Sequence, residues 1–285
     1  MPISASEALA DQGEAAASKI ESLRQPGSYL VSAMLGGAYL GVAEVLLLSV
    51  TGPMLAASSP WTKLIQGLVF GVAVTFVVFA GAELCTSNMM TAVMGVIARR
   101  GSIGGAISVI VGSFVGNLLG AIVFAWLVHV SGVLSGGATP GHVAPGIAIL
   151  AATVKLKAAE STSTLFFRGI LCNFLVCLAI WMAARTKSDG AKIALIFCAI
   201  GAFVASGFEH VVADMVVYAL GLFEQIPGAT LGGFGNVLLV VGLGNLVGGG
   251  LLIGATYGFL ARRSAPRTST SQPPRLDKQR TTVRA

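Results

Sequence analysis

Ser206-Gly207-Phe208-Glu209-His210 interrupts an otherwise apolar stretch that runs over 191–222. Upstream, Gly81-Ala82-Glu83-Leu84-Cys85-Thr86-Ser87-Asn88 interrupts the stretch 64–98 in the same way. A membrane-spanning helix needs about 20 apolar residues, because roughly 30 Å of hydrocarbon is crossed at about 1.5 Å per residue. Both stretches are too long for one straight crossing, and each polar insert falls near mid-depth. Backbone there can leave the helix only where protein or a water-filled cavity satisfies its N–H and C=O groups. Both stretches are therefore read as broken helices.

Four further apolar stretches, 28–50, 105–131, 162–184 and 234–261, complete six candidate spans. The two halves match in kind: a plain helix, a broken helix, then a Gly-rich helix. The Gly-rich pair carries Gly116-Asn117-Leu118-Leu119-Gly120 and Gly244-Asn245-Leu246-Val247-Gly248. Three spans per half force the halves into opposite orientations. The expected fold is all-α, with six transmembrane helices in two inverted three-helix repeats and helices 2 and 5 broken, an arrangement that places a substrate path at the midplane. The bland alternative is Gly-x-x-x-Gly packing that recurs by chance in Gly-rich spans. The Gly stripes at 112, 116, 120 and at 250, 254, 258 are read as faces for tight helix contact or oligomer formation.

Composition agrees. The chain has 285 residues, 55% hydrophobic and only 11% charged, where a soluble domain carries about 25% charge. A mean hydropathy of +0.84 excludes a soluble domain and a disordered chain alike. The cysteines 85, 172, 177 and 198 all lie in apolar runs and read as buried thiols, which excludes a secreted disulfide scaffold. The stretches 101–154 and 225–261 hold no Asp, Glu, Lys or Arg. Residues 1–27 are read as an Ala-rich cytoplasmic helix rather than a signal peptide, 28–261 as a six-helix transmembrane domain, and 262–285 as a basic disordered tail. With both termini in the cytoplasm, 14 Lys and Arg fall on the inner side and three (Lys63, Lys155, Lys157) on the outer, which sets the orientation in a bacterial-type inner membrane.

Ionisable groups within spans are costly and are functional hypotheses by default. Here they are Glu44, Glu83, Arg168, Glu209, His210 and Asp214, with His129 near a span end. His210 is read as a pore-lining donor of a proton or hydrogen bond, since imidazole titrates near physiological pH; the rival reading is a cap on broken backbone. Glu83 and Glu209 are read as structural braces that accept from N–H groups freed at the breaks. Thr86 starts the half-helix after the first break and can cap it or face the path. Lys155 and Lys157 near a pore mouth would concentrate anions; as plain interfacial lysines they would not. Asn117, Asn173 and Asn245 lie in spans, where an amide usually bonds across helices.

Enzyme motifs are missing: there is no Gly-x-Ser-x-Gly, His-Glu-x-x-His, P-loop or Cys-x-x-Cys, and three separated histidines suggest no metal site. No cofactor, metal or nucleic-acid partner is expected. An intramembrane enzyme using Glu209 and His210 would need a nucleophile or metal motif, and a glycerol or water facilitator would need paired Asn-Pro-Ala half-helices.

The stretch Phe166-Phe167-Arg168-Gly169-Ile170-Leu171-Cys172-Asn173-Phe174-Leu175-Val176-Cys177-Leu178-Ala179-Ile180-Trp181-Met182 resembles a signature of the formate/nitrite transporter family. So do Ala205-Ser206-Gly207-Phe208-Glu209-His210, Gly81-Ala82-Glu83-Leu84-Cys85-Thr86 and Gly244-Asn245-Leu246-Val247-Gly248, all in order over about 28–262. Across Phe166–Thr186 and Ser32–Tyr39 the chain looks nearest the nitrite channel branch. The resemblance implies an aquaporin-like protomer, a homopentamer in membrane lipid, and one path per protomer for a small monovalent anion and protons. It implies that Thr86 and His210 face each other across the pore, and that Phe70, Leu84 and Phe203 form apolar constrictions, with Val74 replacing a usual leucine. Lys157 matches a vestibule lysine, and Asn173 and Asn245 match pore-region amides. Cys85 stands where an aromatic is usual, and Asp214 where Asn is usual. Nitrite is the expected anion, with formate or hydrosulfide as alternatives.

A small oxyacid with a pKa of about 3–4 is almost wholly anionic at neutral pH. Forcing the bare anion through a dry apolar ring costs up to tens of kcal/mol. Protonating it first costs about 1.4 kcal/mol per pH unit, roughly 5 kcal/mol in all. Proton-assisted passage at His210 is therefore expected if the ring is dry; a wet ring would pass the anion itself.

Overall fold

The computed structural model describes residues 2–138 and 140–264. Its elements are all helices. Helix α1 (Ala5–Ser22) starts at Ser4, whose hydroxyl accepts from the Glu7 N–H at 3.2 Å. Helix α2 (Pro26–Ala56) opens on a proline, which has no N–H to leave unsatisfied in the first turn. Helix α3 (Thr62–Phe76) passes through a π-helical stretch (Val77–Gly81) into the first break, and α4 (Cys85–Ile97) resumes beyond it. Helix α5 (Ile103–Ser131) closes the first half.

The second half repeats the order. Helix α6 (Pro145–Ala159) precedes α7 (Thr162–Ala184); α8 (Asp189–Ala205) and α9 (Val211–Phe223) flank the second break. Helix α10 (Leu231–Asn245) continues through a π-helical stretch (Leu246–Ala255) into α11 (Thr256–Ser264). Among the described residues, five helices are long and apolar enough to cross a membrane: 26–56, 62–81, 103–131, 162–184 and 231–263. The chain is a multi-pass membrane protein. The apolar stretch 191–222 divides into α8, of 17 residues, and α9, of 13, as the polar insert at 206–210 requires. Glycine allows both departures from the helix: Gly81 has φ +79° and Gly207 has φ +73°, backbone that costs a residue with a Cβ.

The two Gly-Asn-Leu-x-Gly segments occupy equivalent places. A Cβ added at Gly120 would fall 1.9 Å from the Met34 carbonyl oxygen, and one at Gly248 would fall 2.1 Å from that of Ile170. In each half, the first span and the third thus touch backbone to backbone, and the glycines there make contacts within the chain. Two sequence expectations need correction. The stretch around Lys155 and Lys157, given no helix in the sequence reading, forms one at 145–159 whose Leu150 and Val154 are fully buried. Cys198 is exposed rather than buried. The expected disordered tail, apart from its first residues 262–264 in α11, lies outside the described residues.

Candidate functional site

Each break is held by one asparagine. In the first half, Asn117 Oδ1 accepts from the Cys85 N–H at 2.9 Å, while its Nδ2 donates to the carbonyls of Ala33 and Glu83, both at 2.7 Å. In the second, Asn245 Oδ1 accepts from the Val211 N–H at 2.9 Å, while its Nδ2 donates to the carbonyls of Gly169 at 2.8 Å and Glu209 at 3.0 Å. The backbone N–H of Glu83 reaches Ser32 O, and that of Glu209 reaches Arg168 O, each at 3.3 Å. Freed backbone groups in a membrane must find protein partners, and here the same amide supplies them twice. Both amide protons of Asn245 are spent on backbone, and its side chain is fully buried. Asn173 is likewise fully buried, with Nδ2 donating to the carbonyls of Thr86 (3.1 Å) and Asn245 (2.8 Å). Neither amide has a donor left for a solute, so their place on the substrate path is corrected: Asn245 holds the second break, and Asn173 ties α7 to α4 and α10.

Between the breaks, His210 Nε2 lies 3.0 Å from Thr86 Oγ1. His210 also caps α9, because the Ala213 N–H donates to Nδ1 at 3.3 Å. The ring thus caps broken backbone, one of the two readings of His210, and turns its other nitrogen to Thr86. With Nδ1 accepting, a neutral ring carries its proton on Nε2 and donates it toward Thr86. The Phe203 ring stacks on the imidazole (6.0 Å between centroids, 22°), and Phe70 meets Phe203 edge to face (6.0 Å, 84°). Val74, one turn beyond Phe70 on α3, is buried, and Leu84 is fully buried just ahead of α4.

Two cavities approach the breaks. One, of about 390 Å³, is lined by Phe70, Phe203, His210, Lys157, Glu209 and Asp214 among others, and by Glu44 and Leu47 of α2. The other, of about 510 Å³, is lined by Glu83 and by Tyr29 and Ser32 of α2. Twelve positions of α2, from Ser32 to Glu44, separate the two linings, about 18 Å along its axis, so the cavities enter from opposite ends.

The carboxylates at the breaks do not take the freed N–H groups, as the sequence reading expected. Glu83 is held by Lys19 of α1, with Nζ 2.7 Å from both oxygens, and by Asn88 Nδ2 at 2.8 Å. Glu209 pairs with Lys157 of α6, and the same ammonium lies 2.6 Å from Asp214 Oδ1. Each half therefore brings a lysine from the short helix before its first span onto the glutamate of its break. Lys157 is mostly buried and faces two acids, so its charge is neutralised locally, which corrects its reading as a free anion attractor; Lys155 stays exposed. Sequence reasoning missed Lys19, counted only as a cytoplasmic charge, and the special place of Asn117. The Asn117–Asn245 repeat was the available signal for the latter.

The family pattern described as Formate/nitrite transporter matches residues 6–259. The nitrite transporter NirC of Salmonella typhimurium is 36% identical over 245 residues, covering 85% of this chain and 87% of that protein. A solved FNT family ion channel superposes with a TM-score of 0.81 at 34% identity, over 89% of this chain and 98% of the other. A pentameric formate channel with formate bound gives a TM-score of 0.71 at 26% identity, over 83% and 98%.

Proposed function

The chain belongs to the formate/nitrite transporter family, and we propose that it conducts a small monovalent weak-acid anion, nitrite foremost, with a proton supplied at His210. The observation that carries this reading is the contact between the two breaks. An imidazole N–H and a hydroxyl meet at 3.0 Å, with the aromatic pair Phe70 and Phe203 beside them. A hydrogen-bond donor in an apolar waist suits a solute that is anionic on either side and neutral, or hydrogen-bonded, at the centre. The relatives include nitrite and formate transporters at similar identity, and nitrite is placed first on the resemblance of Phe166–Thr186 and Ser32–Tyr39 to the nitrite channel branch.

The working unit is a homopentamer in lipid of a bacterial-type inner membrane, one path per protomer, with α1 and α11 on the cytoplasmic side. The Lys and Arg excess of the inner loops supports that orientation, and the pentameric relative supports the assembly. Phe70, Val74, Leu84 and Phe203 form the constrictions. The test is flux of nitrite, formate and hydrosulfide, side by side, into vesicles carrying the purified protein. Nitrite should be fastest and stimulated by external acid, and His210→Ala should abolish that stimulation while the pentamer still assembles. Full acid stimulation in assembled His210→Ala protein removes the proton role; formate or hydrosulfide outrunning nitrite reassigns the cargo.

A further inference from the structure

Asp214 is 1% exposed and lines the outer cavity. Its Oδ1 is 2.6 Å from Lys157 Nζ in an ion pair, and no other donor among the described residues bonds either of its oxygens. Yet the side chain of Glu209, on the same ammonium, stands within hydrogen-bonding reach of it. Two carboxylates offer only acceptors; they bond to each other when one carries a proton. Glu44, 5% exposed on α2, adds a third acid within electrostatic reach of Lys157 and Glu209. Three buried acids around one ammonium would leave two uncompensated negative charges, and like charges so close do not all ionise.

We propose that Glu209 and Asp214 form a proton-binding acid pair that holds one shared proton beside Lys157, and that loss of this proton closes the outer cavity to anions. The proposal rests on the reading of the chain as a path for weak-acid anions. The groups facing Asp214 are Lys157 from α6, Glu209 and His210 from the break, Glu44 from α2, Cys172 from α7 and Tyr218 from its own helix. Lys63 and the Arg168–Glu160 ion pair also line the cavity. Lys157 is the buried cation among these groups, and it is shared. With the proton bound, the pair carries one negative charge against Lys157. With the proton lost, a further negative charge stands in a low-dielectric cavity that the anion must cross, and it repels the anion. An amide at position 214 would donate to Glu209 permanently and could not titrate, so the acid at this position makes the entrance responsive to external pH.

Two measurements on the full-length pentamer in lipid test this. The first is infrared difference spectroscopy across an alkaline pH step. A carboxylic acid C=O band should be lost from wild type on alkalinisation, and this change should be missing in Asp214→Asn. A band kept in Asp214→Asn but lost in Glu44→Gln would overturn the pair. The second is nitrite flux into vesicles at fixed internal pH and varied external pH. The ratio of flux at acid to flux at alkaline external pH should fall by about tenfold or more in Asp214→Asn, the scale set by one proton over one pH unit; an unchanged ratio overturns the gating role. Should Asp214→Asn fail to assemble, Glu209→Gln removes the shared proton by the other partner and must give the same two changes. His210→Ala is read in parallel. Acid stimulation that survives when His210→Ala is combined with Asp214→Asn defeats the earlier reading, whereas the infrared band reports on the acid pair regardless of that result.

Discussion

His210 Nε2 and Thr86 Oγ1 stand 3.0 Å apart although 124 positions separate them in sequence. The contact exists because each residue sits where its half-helix begins, at the Ncap of α9 and in the first turn of α4. The matching order of the two halves brings those two starts together. The ring is fixed from behind by the Ala213 N–H on Nδ1 and from the side by Phe203. Its remaining N–H therefore has a defined direction.

Thr86→Val keeps the side-chain volume and removes the acceptor. The imidazole N–H is then left without its buried partner, at a cost of about 1–3 kcal/mol. The protein should assemble with a modestly lower melting temperature, and nitrite flux in vesicles should drop about tenfold or more. Flux within twofold of wild type would show that the hydroxyl serves only local structure.

The twin amides make a stability prediction with an internal control. Asn117→Leu and Asn245→Leu each strip one buried N–H and two carbonyls of their partners. At about 1–3 kcal/mol per orphaned group, each should destabilise the protein by several kcal/mol, and by similar amounts, because the two networks are equivalent. Thermal unfolding of the detergent-solubilised protein measures both. One substitution tolerated and the other not would break the equivalence of the halves.

Much of this was legible beforehand, for identifiable reasons. Apolar runs of 20 residues or more have few physical meanings, so the spans were readable. Glu83 and Glu209 marked the breaks because a carboxylate at mid-depth needs a reason. The repeated Gly-Asn-Leu-x-Gly announced the inverted halves, since a glycine at each end lets backbones meet and the asparagine between them has backbone to satisfy. The partners of the charges were not legible. Nothing local in Lys19 distinguishes it from a cytoplasmic surface lysine; its meeting with Glu83, 64 positions away, depends on how α1 lies against the first break. Helix α6 was hidden for a different reason. At 15 residues it is too short for a span, and hydropathy alone gives no sign that it folds back beneath the second break.

Lys157 should prove a structural cation before a kinetic one. Lys157→Met leaves Glu209 and Asp214 buried without their counter-charge, and breaking a buried pair in this way costs about 3–5 kcal/mol. Melting temperature and the yield of folded protein should fall together, and adding Asp214→Asn and Glu209→Gln should recover a good part of the loss. The exposed neighbour is the control: Lys155→Ala should shift stability by no more than about 0.5 kcal/mol. A single Lys157→Met protein as stable as wild type would mean that the acids around it are already neutral.

Lys19 tests whether α1 restrains the first break. Lys19 Nζ bonds both oxygens of Glu83, but the two side chains keep 23% and 15% of their surface exposed. Water therefore screens the pair, and its value should lie nearer about 1–2 kcal/mol than that of a dry pair, falling as salt rises. Helix α1 has other anchors: Thr91 donates to Gln12 at 2.9 Å, and Arg185 Nε donates to the Ile3 carbonyl at 2.9 Å. Lys19→Gln should consequently loosen the break without detaching the helix. Amide exchange at residues 82–84 should quicken about five- to thirtyfold, the factor that corresponds to that energy, while exchange in the middle of α1 stays close to wild type. Glu83→Gln should reproduce the change, and the double substitution should add little to either single one, as expected of two residues acting through one contact. Additive effects, or exchange that quickens throughout α1, would show that Lys19 holds the helix down rather than the break.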